Sequence, residues 1–124
     1  MKTSSAKAKG RRLQSWTRDW ILETFPGLKP DDVRSVSTSA GGEDIWLSPA
    51  AREVFPFSVE NKNTQRLAIW DALEQAAVNA GGHEPVVIFS RNRSKVYMAI
   101  EVGDTLRTLL RNAADGTWQV MNRG

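Results

Sequence analysis

The chain has 124 residues, 40% of them hydrophobic and 25% charged, which is typical of one globular domain with a real core. It has no cysteine and one histidine, so a disulfide framework and a Cys/His zinc site are excluded, and carboxylates must hold any metal. The formal net charge is +3, and the first acidic residue is preceded by Lys2, Lys7, Lys9, Arg11 and Arg12. This asymmetry suggests a polyanionic partner, although a solubilising, disordered terminus would explain it equally well.

The sequence shows no targeting or membrane segment. No apolar run approaches the roughly 20 residues of a membrane span, and the N-terminus lacks the apolar stretch of a secretory signal. We therefore expect a cytoplasmic protein with no membrane partner. Residues 1–8 are predicted to form a basic, flexible tail, and residues 9–124 a single domain.

The first predicted element is an amphipathic helix from about residue 9 to residue 25, ended by Pro26 and Gly27. Two strands follow, one around Val33 to Val36 and one at "EDIWL", with the turn residues of "SAGG" between them. Ser48 before Pro49 then signals a helix of one or two turns.

The second half of the chain begins with a strand, "FPFSVENK", and a long helix over residues 63–80 that Gly81 and Gly82 close. The strands "EPVVIFS" and "KVYMAIEV" are joined by the polar loop "RNRS", and "GDTLRTLLRN" is a short helix before a tail with room for one last strand. The expected fold is α/β: a single mixed sheet flanked by helices, in the order α-β-β-β-α-β-β-α.

Three polar residues stand out against this framework. Side chains alternate along a strand, so Glu60 and Lys62 project from the same face with their Cα atoms roughly 6.6 Å apart. Asp44 begins the preceding strand and can reach the same end of the sheet if the two strands pair. Mg²⁺ usually takes one or two protein carboxylates, which Asp44 and Glu60 supply, with the backbone C=O of Asn61 as a plausible extra ligand.

Lys62 is the third residue of a candidate active site, beside Asp44 and Glu60. It can orient or deprotonate an attacking water and offset the charge of the phosphorane, so the three residues predict metal-assisted hydrolysis of a phosphodiester. An E-x-K pair alone is a weak signal, because opposite charges often alternate on an exposed strand face. The prediction depends on the joint pattern with Asp44 and the two flanking helices.

This joint pattern resembles the PD-(D/E)XK nuclease superfamily, and within it the small Holliday junction resolvases of archaea and phages. The segment "AKGRRLQSW" resembles the entry to their first helix, and "SAGGEDIWL" resembles the entry to their aspartate strand. "LEQA" resembles a glutamine-alanine pair on their next helix, and "PVVIFSRNRS" their next strand and basic turn. The likeness runs over roughly residues 9 to 102 and implies a restriction-endonuclease-like core.

The resemblance implies that Asp44 and Glu60 bind Mg²⁺, that Mn²⁺ can substitute, and that Lys62 assists the water. It implies a homodimer that cleaves DNA, expected to be branched, and a phage or prophage source acting in a bacterial host, without zinc or a nucleotide cofactor. Glu43 replaces the proline of the superfamily's name. Gln14 stands where the resolvases tend to carry a glutamate, and is a further candidate ligand through its carbonyl oxygen.

The remaining predictions concern DNA contacts and the core. The candidate DNA-binding residues are Lys7, Lys9, Arg11, Arg12, Gln75, Arg91, Arg93 and Lys95. Gln75 could contact DNA or help to place the site, and it is explained equally well as a polar residue of a surface helix. For the cations at 91–95, a solvated hairpin loop is the weaker explanation, given the basic N-terminus. Four of the five tryptophans are expected to pack the core, although one of them could stack on a base or fill a dimer interface: Trp16, Trp20, Trp46 and Trp70.

Two other functions stay open. A nuclease of the same superfamily that acts on linear or damaged DNA has the same residues. A catalytically silent relative that only binds DNA keeps the same fold.

Overall fold

The computed structural model describes residues 2–36, 42–92 and 94–116. The elements in chain order are α1 (Lys2–Thr24), β1 (Val33–Ser35), β2 (Ile45–Leu47), α2 (Pro49–Val54), β3 (Phe57–Asn63), α3 (Ile69–Asn79), β4 (Glu84–Ser90), β5 (Tyr97–Ile100) and α4 (Asp104–Asp115). A single 3₁₀ turn at Pro30–Asp32 precedes β1. The predicted α/β class is confirmed.

The described strands form two sheets. β3 pairs in parallel with β4, and β4 pairs antiparallel with β5, which gives a mixed three-stranded sheet. β1 and β2 form a separate antiparallel pair in which Val33 faces Leu47. The expectation of one continuous sheet is therefore wrong, although its mixed character is confirmed.

Asp44 connects the two sheets, although their strands do not pair with each other. Its N–H donates to the C=O of Val59 at 2.9 Å, and its own C=O accepts from the N–H of Val36 at 2.9 Å. The next group along β3, the N–H of Asn61, is bonded by the Asp44 carboxylate and not by a backbone oxygen. At this position the Asp44 side chain therefore accepts the hydrogen bond that the backbone of β2 would accept if β2 and β3 were paired in one sheet.

The core lies on both faces of the three-stranded sheet. On one face, Leu13 and Ile21 of α1 pack in a cluster with Val59 and Val86. On the other face, Ala72 and Ala76 of α3 pack on Val87, and their small side chains allow the helix to lie close to the sheet. β3 is therefore covered on both faces along its first half.

Two helix boundaries differ from the prediction. α1 begins at Lys2, well before residue 9. α3 begins at Ile69 and not at Asn63, because Lys62 and Asn63 remain paired with Phe89 and Ser90 of β4. The short helix after Ser48 is confirmed, since the Ser48 hydroxyl accepts from the N–H of Ala51 at 3.1 Å as an N-cap. The expected last strand falls in residues 117–124, outside the described residues.

The prediction for the tryptophans is wrong. The exposed fractions are 43% for Trp16, 37% for Trp20, 38% for Trp46 and 77% for Trp70. The rings of Trp16 and Trp20 stack on each other with centroids 6.1 Å apart, and the Arg34 guanidinium lies 4.4 Å from the Trp46 ring centroid. Within the described chain, no helix has a stretch long and apolar enough to cross a bilayer.

Candidate active site

Asp44 is hydrogen-bonded to the edge of β3 that does not pair with β4. Gly42 has a φ of 81°, a left-handed conformation that suits glycine, two residues before Asp44. The Asp44 N–H then bonds the C=O of Val59, and Asp44 Oδ2 accepts the N–H of Asn61 at 2.7 Å. The residue is only 2% exposed. Asp44 thus reaches β3 as predicted, but through its own hydrogen bonds and without a β2–β3 ladder.

Glu60 and Lys62 lie on the same face of β3, as the alternation predicted. Lys62 Nζ is 3.6 Å from Glu60 Oε2, and Glu60 is 4% exposed. The other carboxylate oxygen, Glu60 Oε1, is buried and has no hydrogen-bond partner. A buried, unpartnered carboxylate oxygen is costly, so its presence calls for a ligand that supplies positive charge.

Gln75 of α3 contacts Lys62 directly. Lys62 Nζ donates a hydrogen bond to Gln75 Oε1 at 2.7 Å. The Lys62 side chain is therefore held between an amide from α3 and the Glu60 carboxylate on its own strand. Of the two interpretations of Gln75, this contact favours a residue that places the site.

The electrostatics of the site act mainly on Asp44. The pKa of the Asp44 carboxyl is raised to about 6, chiefly by burial. The charge of Glu60 also raises this pKa, while the hydrogen bond from the Asn61 N–H and the Lys62 ammonium lower it. The influence of Glu60 shows that the two carboxylates act on one another. They form a pair whose mutual repulsion a cation would relieve.

The residues present fit a hard divalent cation. Carboxylate oxygens of Asp44 and Glu60 are the ligands that Mg²⁺ prefers. The N–H and C=O of a strand residue point to the same edge, so the Asn61 C=O faces the edge that Asp44 occupies. Gln14 is buried on α1, which packs on the face of β3 that carries the Asn61 side chain, opposite the face that carries Glu60.

The cluster contains few acidic ligands. Among the described residues, no group of three or more His, Cys, Asp and Glu side chains could hold a metal ion. Mg²⁺ commonly takes only one or two protein carboxylates, with water and substrate phosphate as further ligands. Two carboxylates are therefore enough for a site that is completed by a phosphate substrate.

No family model, curated protein or solved structure matches this chain. The likeness to the PD-(D/E)XK nucleases therefore rests on the quoted sequence segments. The function has to be argued from the geometry of Asp44, Glu60 and Lys62.

Two of the predicted DNA-binding residues lie at the carboxyl end of β3. Asn63 Nδ2 donates to the C=O of Lys9 at 3.2 Å, which places this part of α1 beside the strand end. The N–H of Thr64 donates to the C=O of Ser90 at 3.2 Å, which places Arg91 beside the same end. Lys9 and Arg91 therefore flank the end of the strand that carries Lys62.

Apart from Gln75, the other predicted contact residues are less closely tied to the site. Exposed positions, compatible with binding DNA, are found for Lys7, Arg11, Arg12 and Lys95. Arg93 lies outside the described residues. The sequence interpretation missed Arg66, an exposed cation in the segment that follows β3, whose signal was its place four residues after Lys62. It also missed the pairing of Glu43 with Arg52 of α2.

Proposed function

We propose that this chain is a Mg²⁺-dependent endodeoxyribonuclease that hydrolyses phosphodiesters of branched DNA, such as four-way junctions. One observation carries the proposal: buried Glu60, with an unpartnered oxygen, lies beside Lys62 and interacts electrostatically with Asp44 at the edge of β3. Burial of two interacting carboxylates opposes folding. Binding of a cation and a phosphate explains why two carboxylates are buried here in spite of that unfavourable free energy.

The metal site would be formed by oxygen ligands of this chain. Asp44 and Glu60 would hold Mg²⁺ through their carboxylates, with the Asn61 C=O and the Gln14 carbonyl oxygen as further ligands, and the same oxygens accept Mn²⁺. When bound, the cation polarises the scissile phosphoryl group and offsets its negative charge.

Lys62 supplies the remaining electrostatic contribution. An ammonium group has three N–H donors; one is donated to Gln75 and one is directed toward Glu60. The third remains for the attacking water or a phosphate oxygen. In the reaction the attacking water gives a proton to solvent, its oxygen bonds to phosphorus, and one bridging P–O bond breaks as the leaving oxygen takes a proton from solvent. Lys62 stabilises the charge that develops on the phosphoryl oxygens.

Specificity for branched DNA comes from the resemblance to the junction resolvases and is supported by the cations that flank β3. A four-way junction is cut at two symmetry-related phosphates, whereas one chain carries one Asp44/Glu60/Lys62 site. We therefore propose a two-fold homodimer that acts in the cytoplasm of a bacterial host. The four exposed tryptophans provide apolar surface for such an interface.

The test is cleavage of a labelled four-way junction and of a linear duplex with the same arm sequences, in Mg²⁺, Mn²⁺ and EDTA. We expect paired cuts in the junction with either metal and none in EDTA. Cleavage of both substrates at equal rates would favour the nuclease of linear or damaged DNA. Tight binding with no cleavage in either metal would favour the catalytically silent DNA-binding relative.

A further inference from the structure

Arg52 of α2 connects the segment that carries Asp44 to the beginning of β3. Its Nη2 pairs with Oε1 of Glu43, the residue before Asp44, and its Nη1 donates to the C=O of Phe57 at 3.1 Å. Each of the two charged side chains is 19% exposed. The guanidinium therefore ties together the two stretches of chain from which the carboxylates of the site project.

The contact with Phe57 belongs to a regular series along the free edge of β3. Every second residue directs its backbone groups to this edge, so the series comprises Phe57, Val59 and Asn61. The first C=O accepts from Arg52, the second accepts from the Asp44 N–H at 2.9 Å, and the N–H of Asn61 donates to Asp44 Oδ2 at 2.7 Å. Arg52 thus makes the first of three successive links between this edge and the chain around Asp44.

Glu43 and Asp44 lie just before β2, outside the regular strand pairing. Regular pairing of this part of the chain begins only at Ile45, opposite Ser35 of β1. Glu43 Oε2 is buried and has no hydrogen-bond partner. The Glu43 side chain is therefore held by the hydrogen bond that its other oxygen, Oε1, accepts from Arg52.

We propose that Arg52 is a positioning residue that sets the distance of Asp44 from β3, through Glu43 on one side and the Phe57 carbonyl on the other. The consequence for catalysis rests on the proposed function. The structural part, that Arg52 keeps Asp44 on the edge of β3, does not.

Arg52→Lys tests the proposal, because lysine keeps the charge but cannot bridge two acceptors with a planar fork. We expect kcat for junction cleavage to fall roughly 10- to 100-fold, the range found when the partners of metal ligands are altered. The KM for DNA should change less than about twofold, since Arg52 is not placed to touch DNA. Without DNA, the amides of Asp44 and Asn61 should exchange with solvent faster, while amides between β3 and β4 should not.

Arg18→Lys is the matched control. Arg18 lies on α1, and its guanidinium, like that of Arg52, donates to two acceptors: the C=O of Val33 at 2.8 Å and the C=O of Pro30 at 3.1 Å. Its loss should lower the unfolding free energy without lowering kcat or changing exchange at Asp44 and Asn61. Equal effects of both substitutions on kcat and on exchange would overturn the assignment, because they would show only a general loss of stability.

A double variant separates positioning from stability. Glu43→Leu with Arg52→Met removes both partly buried charges, and replacements of this kind are often neutral or stabilising for buried ion pairs. We expect a folded protein with reduced kcat and faster exchange at Asp44 and Asn61. A stable double variant with wild-type kcat and exchange would overturn the proposal. If the wild type itself cleaves no DNA, the proposed function fails, and the exchange measurements still decide whether Arg52 positions Asp44.

Discussion

Two regions of this protein reverse the usual distribution of polar and apolar side chains. At the edge of β3, Asp44 and Glu60 are 2% and 4% exposed. Elsewhere Trp70 is 77% exposed, Val102 91% and Leu110 62%. Buried carboxylates oppose folding, whereas exposed apolar groups cost the folded monomer little. The first region thus points to a ligand that binds inside the fold, and the second to contacts made on its surface.

The largest expected effect comes from removing charge in the buried region. Asp44→Asn or Glu60→Gln should abolish cleavage, because each replaces a hard anionic ligand by a neutral amide. DNA binding should stay the same or become tighter, since repulsion of phosphate falls. Gel-shift and cleavage assays on one labelled junction separate the two effects. Cleavage at the wild-type rate in saturating Mg²⁺ would show that the site is misassigned.

Lys62→Met should reduce kcat by about 100- to 1,000-fold, through the loss of a donor that stabilises developing charge. The apparent affinity for Mg²⁺ should change little, because lysine is not a metal ligand. Single-turnover cleavage over a Mg²⁺ titration measures both quantities. Wild-type turnover by this variant would remove lysine from the mechanism.

The buried region should also show a stability cost with a defined pH dependence. The pKa of Asp44 is raised to about 6 from an ordinary 3.8, so the folded chain holds this proton more tightly than the unfolded chain does. This carboxyl therefore lowers the unfolding free energy as pH rises from about 4 to about 6, by at most about 3 kcal/mol in metal-free buffer.

Asp44→Asn should recover that loss, since its amide oxygen can still accept the N–H of Asn61. We expect the variant to be more stable than the wild type at pH 8 and equally stable near pH 4, by urea denaturation in EDTA. Added Mg²⁺ should stabilise the wild type more than the variant. A variant less stable than the wild type at pH 8 would contradict the electrostatic account of the site.

The exposed region predicts association. Light scattering at micromolar concentration should give about twice the chain mass of 13.8 kDa. Replacing the exposed tryptophans by glutamine, one at a time, should change the unfolding free energy of the monomer by no more than about 0.5 kcal/mol. Substitution at the interface should nevertheless dissociate the dimer. A strict monomer, both free and on a junction, would contradict junction resolution and favour a nuclease that cuts one strand.

The smallest effect is expected at the N-terminus. Deletion of residues 1–8 removes Lys2 and Lys7, so binding should weaken for every form of DNA. The salt dependence should become shallower by up to about 0.9 log units for each lost phosphate contact. Binding titrations at several salt concentrations measure this slope, and the preference for branched DNA should survive. An unchanged slope would show that these cations only solubilise the chain.

The sequence by itself determined which side chains of β3 share a face. Alternation in a strand is a property of the backbone, so Glu60 and Lys62 had to project together once "PFSVENKN" was extended. The N-cap at Ser48 was equally local, because its hydroxyl accepts the N–H of Ala51 in the first turn of the helix that follows. Hydrophobic spacing also predicted that the helices and strands exist, although not where α1 and α3 begin.

Only the tertiary structure decided how distant segments meet. The sequence could not show that Asp44 binds β3 through its own carboxylate, that Gln75 holds Lys62, or that Arg52 bridges Glu43 and Phe57. These contacts depend on the packing of α2 and α3 against the sheet. The exposure of the tryptophans was also decided by the tertiary structure. Sequence spacing predicts which side chains of a helix or strand lie on the same face. Whether that face is buried depends on which other elements pack over it.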